Sequence, residues 1–138
     1  VEFIEQPLHR DDFDGFHLLR SRVDMPIIVD EGIFRAGDIL KYVGLADGIN
    51  IKLSKSGGLR EAFKMITVAR AHKMKVMIGC MIETSIGITA AAHLASLVDY
   101  ADLDGNLLIV DDPYKGVTVE NGYLKLPDGP GLGVLPAR

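Results

Sequence analysis

The stretch Asp47-Gly48-Ile49-Asn50-Ile51-Lys52-Leu53-Ser54-Lys55-Ser56-Gly57-Gly58 reads as a short apolar strand that carries two lysines and runs into a glycine pair. Side chains alternate across a strand, so a regular strand sends Lys52 and Lys55 to opposite faces and turns one of them inward. An ammonium at the inner, C-terminal end of a parallel strand suits a general acid or base. Whether the strand is parallel depends on what flanks it.

Short β-type runs recur at residues 1–4, 26–29, 48–53, 75–78 and, more weakly, 100–103, with helix-type patterns between them. Asp11 or Asp12 is placed to cap a first helix that carries Phe13, Phe16 and Leu19 at helical spacing. A short second helix is expected over residues 35–43. The third, residues 59–72, follows the i, i+3, i+4, i+7 rule with Leu59, Ala62, Phe63, Ile66, Ala69 and Arg70. The fourth, residues 86–97, is rich in alanine and leucine and reads as buried, with His93 as a packed core histidine. Strand and helix alternating about every 25 residues marks parallel βα units, either an open doubly wound sheet or a closed βα barrel. A full barrel takes roughly 250 residues. The 138 residues here suffice for part of one.

After Asp111-Asp112-Pro113 the pattern changes. Residues 117–120 and 123–126 flank Asn121-Gly122, which predicts a hairpin with a type I′ turn, and residues 127–133 read as an irregular tail. Composition is that of one soluble globular unit: 48% hydrophobic, 25% charged, formal net charge -4. The absence of a basic cluster argues against a nucleic-acid partner. The single cysteine, Cys80, excludes an intramolecular disulfide framework and fits a reducing cytoplasm. The longest apolar runs are too short to cross a bilayer, and no secretory signal is recognisable. Because the sequence enters a strand directly at Val1, it is expected to be a piece of a longer protein.

Parallel strands bring their C-terminal ends to one face, where such sheets hold their sites. Those ends carry Glu5, Asp30 with Glu31, Lys52 with Lys55, residues 80–83, and Asp102 with Asp104. Two carboxylates on adjacent strand ends make a hard oxygen pocket suited to Mg2+. A lysine beside that cation has a lowered pKa and can abstract a proton near neutral pH, while the metal stabilises charge developing on substrate oxygens. Each residue also has a plainer use. Glu5-Gln6-Pro7 can simply start a solvated loop; Asp30-Glu31 and Glu83-Thr84 can cap helices; Lys55, Asp102 and Asp104 can be solvated charges. Gly57-Gly58 can form a tight βα turn or a phosphate cradle, and Cys80 can be a small lining residue.

In their order along the chain, Ile4-Glu5-Gln6-Pro7, Ile28-Val29-Asp30-Glu31, residues 50–58, residues 79–84 and Asp102-Leu103-Asp104 resemble the catalytic half of the enolase superfamily, in its muconate-lactonizing subgroup. Met81-Ile82-Glu83-Thr84 and Asp102-Leu103-Asp104 are similar to segments of dipeptide epimerases of the L-Ala-D/L-Glu epimerase type. The resemblance implies an α/β fold: parallel βα units forming the C-terminal part of a (β/α)7β TIM-like barrel, plus a C-terminal β-hairpin. Residues 1–113 would be the C-terminal portion of the catalytic barrel, and residues 114–138 a hairpin and tail that pack on an N-terminal capping domain.

By the same resemblance, Glu5 and Asp30 would be two of three magnesium ligands and Lys52 one of two opposed acid/base lysines. Lys55, Glu31 and Asn50 would support them from outside the immediate contacts. Asp102 and Asp104 would receive a substrate α-ammonium, and Cys80, Met81 and Ile82 would line its side-chain pocket. The third ligand and the other lysine have no counterpart in this sequence, so the chain alone is expected to be an inactive fragment that pairs with the missing N-terminal part. The implied reaction is a 1,1-proton transfer at the carbon α to the carboxylate of a dipeptide, through an ene-diolate, in a cytoplasmic homo-oligomer. Muconate cycloisomerase, o-succinylbenzoate synthase and N-acylamino-acid racemase chemistries share the metal and lysine plan. A non-catalytic fragment or interaction module is the reading outside the enzyme class. Asp102 and Asp104 favour the dipeptide, because an α-ammonium needs anionic partners and a muconate dianion is repelled by them.

Overall fold

A computed structural model describes residues 1–137. The apolar runs become strands β1 (Ile4–Glu5), β2 (Ile27–Val29), β3 (Gly48–Lys52), β4 (Lys75–Gly79) and β5 (Tyr100–Ala101). All three residues of β2 are fully buried, as expected for a parallel strand covered on both faces. Among the described residues these strands form one sheet in the order β1-β2-β3-β4-β5, with every neighbouring pair parallel. A doubly wound sheet reverses its strand order at a switch point. This order never reverses, and the sheet curls as the arc of a βα barrel.

Alternation along the strands separates two faces. Ile27, Val29, Ile49, Ile51, Val76 and Ile78 point to the helices and share one core with Phe16, Ile39, Met65 and Ile88. Ile28, Gly48, Asn50, Lys52, Met77 and Gly79 occupy the alternate positions, facing the inside of the arc. The two glycines make room there: a Cβ on Gly48 would lie 2.5 Å from Ile28 Cδ1, and one on Gly79 would lie 2.6 Å from Asn50 Oδ1.

The helices follow their sequence signals with local exceptions. Helix α1 (Phe13–Arg20) is capped by Asp12, whose Oδ1 accepts the Gly15 amide at 2.9 Å, and its buried Phe16 meets Tyr42 edge-on at 5.7 Å. The second helical stretch splits into α2 (Ala36–Ile39) and a 3-10 turn (Leu40–Tyr42). Helix α3 (Leu53–Ser56) is a single turn, followed by the longer α4 (Leu59–Ala71). The buried stripe of α4 is Ala62, Met65, Ile66 and Ala69, while Phe63, one of the helically spaced residues, lies off that stripe and is 56% exposed. His93 is likewise exposed and not a core residue: it follows the end of α5 (Ser85–Ala92), with Nε2 3.4 Å from the Leu132 carbonyl.

The cap of α5 comes from far along the chain. Thr84 takes the N-cap position without a side-chain bond, and Asp112 Oδ2 accepts both the amide and the hydroxyl of Ser85 at 2.7 Å. Thr89 Oγ1 then accepts the Val117 amide at 2.9 Å, so residues 112–117 are strapped along the helix. The tail contains β6 (Tyr114–Lys115), paired antiparallel with β9 (Leu135–Pro136), and the hairpin β7 (Thr118–Glu120) with β8 (Tyr123–Lys125). Its turn residues Asn121 and Gly122 have φ of 53° and 82°, the two positive values a type I′ turn requires. No helix among the described residues is long and apolar enough to cross a membrane.

At the N-terminal end of the sheet one clasp occurs twice. Asp47, just before β3, accepts the Ile27 amide at 2.9 Å and pairs with Arg20 at the end of α1 at 2.8 Å. Asp99, just before β5, accepts the Val76 amide at 2.7 Å and pairs with Arg70 in the last turn of α4 at 2.6 Å. Burial raises the Asp99 pKa, but the Val76 amide and the Arg70 guanidinium outweigh it, and the net shift is downward. A lowered folded-state pKa contributes stability above the ordinary carboxylate range and loses it as pH falls through the folded value. Asp99→Asn is therefore expected to lower stability by about 1 kcal/mol at neutral pH, discounted for solvent screening. Urea unfolding at pH 7 and below pH 3 checks this: the gap between wild type and variant should close in acid.

Candidate active site

Glu5 is the last residue of β1, Asp30 directly follows β2, and Lys52 is the last residue of β3. Asp30 is buried, at 5% exposure, and an isolated carboxylate there would cost several kcal/mol. It is neutralised by two ammoniums. Lys52 Nζ lies 2.8 Å from Asp30 Oδ2, while Lys55 Nζ bonds Asp30 Oδ1 and donates to the Asp30 carbonyl at 2.6 Å. The Lys55 ammonium also lies 5.7 Å from the Phe34 ring centroid, within cation–π range.

Both lysines therefore reach the same carboxylate, where a regular strand would have separated them. Strand β3 stops at Lys52, and the α3 turn brings Lys55 back to the side of Lys52. Gly57 closes that turn: its φ of 85° is left-handed, and its amide donates to the Leu53 carbonyl at 3.0 Å. Gly57-Gly58 thus serves a chain reversal between α3 and α4. Lys55 is no solvated neighbour, since its side chain is 9% exposed.

Burial pulls the Lys52 pKa down, but the hydrogen bond and charge of Asp30, with the charges of Glu5 and Glu31, more than offset it. The net shift is upward, so Lys52 is an ammonium in this arrangement. The lowered value expected beside a cation requires that carboxylate charge to be neutralised first.

Asn50 is buried on the inner face of β3 and donates from Nδ2 to Glu5 Oε1 at 2.7 Å; its Oδ1 has no hydrogen-bond partner among the described residues. Glu5, Asp30 and this amide oxygen are hard donors. They fit Mg2+, which uses one or two protein carboxylates and fills its remaining positions with water or substrate. Among the described residues no three His, Cys, Asp or Glu side chains cluster tightly enough to enclose a metal by themselves. Glu31 is exposed beside them.

The other expected residues gather one strand further on. Cys80 follows β4, with Sγ 3.9 Å from Asp104 Oδ1, and Met81 and Ile82 are 46% and 70% exposed. Burial pushes the Cys80 thiol pKa up, which suits a lining group and not a nucleophile. Asp102 and Asp104 are exposed on either side of buried Leu103. Among the described residues no hydrogen bond or ion pair joins this group to Lys52 or Asp30.

Two residues of the site region carried no sequence signal for a role there. Gln6 braces Asp30 with its side chain, and Tyr42 donates from Oη to the Arg10 carbonyl at 2.6 Å, tying the 3-10 turn to the segment between β1 and α1. The only available hint for Gln6 was its place next to Glu5.

The L-Ala-D/L-Glu epimerase of Bacteroides thetaiotaomicron is 47% identical over 135 residues, covering 98% of this chain and 35% of that protein. The solved substrate-liganded complex of the L-Ala-D/L-Glu epimerase from Bacillus subtilis superposes with a TM-score of 0.92 at 38% identity, covering 100% of this chain and 40% of that one. The dipeptide epimerase from Enterococcus faecalis, solved with Mg and L-Leu-L-Tyr, gives 0.88 at 41% identity, covering 97% of this chain and 40% of that one. The chain thus spans between a third and two fifths of the length of these relatives. The enolase C-terminal domain-like family model matches residues 1–138, and the chain belongs to that family.

Proposed function

We propose that the whole protein carrying this chain is a Mg2+-dependent dipeptide epimerase, and that these residues form one side of its active site. The observation that carries this reading is the convergence of Glu5, Asp30 and Lys52 at the C-terminal ends of three consecutive parallel strands, with Lys52 Nζ 2.8 Å from Asp30. The epimerases among its relatives support the reaction class, and the relative solved with Mg and a dipeptide supports the cation and the substrate.

Glu5 and Asp30 would hold Mg2+, which when bound neutralises charge on the substrate carboxylate. Lys52 leaves Asp30 Oδ2 and carries a proton to or from the carbon α to that carboxylate on one face. Lys55 stays on Asp30, held by its second bond to the Asp30 carbonyl. Asp102 and Asp104 receive the substrate ammonium, and Cys80, Met81 and Ile82 border its side chain. Transfer between faces requires a second base opposite Lys52, and the reading assigns that base and a third carboxylate to residues outside this chain. The outer edges of β1 and β5 carry no strand among the described residues, which suits pairing with further barrel strands. The exposed hairpin β7–β8 suits packing on a capping domain.

The chain alone should therefore show negligible epimerisation and bind Mg2+ weakly; robust turnover, or micromolar affinity in a calorimetric titration, contradicts this. For the whole protein, a dipeptide panel incubated in deuterated water and read by mass should show one deuteron gained by a subset of dipeptides. Exchange with none of them sinks the reading. Lys52→Met in the whole protein should slow epimerisation by about 10²–10⁴-fold, the usual contribution of a positioned acid/base group. It should abolish α-proton exchange from one epimer far more than from the other.

A further inference from the structure

Glu5 is followed by a residue in an unusual backbone state: Gln6 has a φ of 39°, in the left-handed region that side chains other than glycine seldom adopt. Its amide still donates to the Ile28 carbonyl at 2.9 Å, so the backbone bonding to β2 continues one residue past β1. Beyond that point its side chain takes over. Gln6 Oε1 accepts the Asp30 amide at 2.7 Å and the Glu31 amide at 3.1 Å, while Nε2 donates to the Leu8 carbonyl at 2.7 Å. One neutral side chain thus ties the chain just after Glu5 to the amide of Asp30 itself.

The remaining contacts of Asp30 come from other places: its carbonyl accepts from Ile33 and Lys55, and its carboxylate meets Lys52 and Lys55. Among the described residues, the side-chain bonds joining the β1 end to Asp30 are those of Gln6. Swinging the backbone to a positive φ directs this side chain across to β2; at an ordinary φ the chain after Glu5 would leave in another direction.

We infer that Gln6 is a positioning residue that sets the spacing of Glu5 and Asp30, and hence the size of the cation that the two carboxylates accept. This rests on the reading of Glu5 and Asp30 as cation ligands. Mg2+ demands near-ideal octahedral geometry, whereas the larger Ca2+ tolerates irregular sites. Loosening the spacing therefore penalises Mg2+ selectively, and supporting residues of this kind are typically worth about 10–100-fold in metal affinity.

The test titrates the whole protein carrying this chain, as wild type, Gln6→Met and Gln6→Gly, with Mg2+ alone and with Ca2+ alone, following the Glu5, Asp30 and Glu31 amides by NMR. Gln6→Met removes the acceptor and keeps the strained φ; Gln6→Gly removes the acceptor and relieves the strain. Both variants should weaken Mg2+ binding about 10–100-fold while Ca2+ changes much less, and both should speed hydrogen exchange at Asp30 and Glu31 but not in the interior of β3. Gln6→Gly should do so without loss of thermal stability, an outcome that general destabilisation would not produce. Ca2+ and Mg2+ affinities that fall together, or variants with an unchanged ratio, overturn the role of Gln6 alone. A wild-type protein whose Glu5 and Asp30 amides respond to neither ion overturns both this role and the metal site it serves.

Discussion

A carboxylate buried at the end of a parallel strand has to be neutralised, and much of the upper face of this sheet answers that requirement. Asp30 draws Lys52 from the end of β3 and Lys55 from the turn beyond it, while Gln6 holds its amide from the neighbouring strand. These partners come from two different βα units, so one acidic side chain fixes the relation of β1, β2 and β3 where their loops begin. The helical turn at α3, with its left-handed Gly57, is the device that allows two lysines three residues apart to approach a single carboxylate.

How much of this could be read beforehand depended on the range of the forces involved. Strand and helix alternation is local and periodic, so the five runs and their parallel sense were legible from apolar spacing alone. The hairpin turn was legible because Asn121-Gly122 suits one backbone conformation. The choice between an open and a closed sheet was legible only through the family resemblance, since it rests on which strand lies beside which. That Lys52 and Lys55 meet one carboxylate was not legible for a related reason: β3 gives way to a helical turn that Gly57 closes, and Asp30, 25 residues earlier, attracts the Lys55 ammonium. Asp112 capping α5 and Gln6 bracing Asp30 are non-local in the same way. That Glu5, Asp30 and Lys52 stand at the ends of neighbouring strands was legible through order and residue type, and their geometry only through the fold.

The two ends of the sheet use charge differently. At the N-terminal end, Asp47 and Asp99 each meet a guanidinium and a backbone amide, and their bonds are completed within the chain. At the C-terminal end, Glu5 is exposed apart from its bond to Asn50, and Asp102 and Asp104 are exposed. Satisfied charges at one end and available charges at the other match the usual division of a βα barrel into a stabilising face and a reactive face.

The repeated aspartate clasp also bears on how the molecule assembles. Each copy joins groups close along the chain, with the aspartate 20 or 23 residues from the amide it accepts, and in the parallel sheet each strand after β1 pairs with the strand before it. Parallel sheets fold slowly when distant segments must find one another, because long loops have to close before any contact forms. Here each new strand meets a neighbour that has already been synthesised, and the clasp can lock it as soon as the intervening helix has formed. Growth of the arc then resembles zippering from one unit to the next, with a search length that stays constant however many units are added.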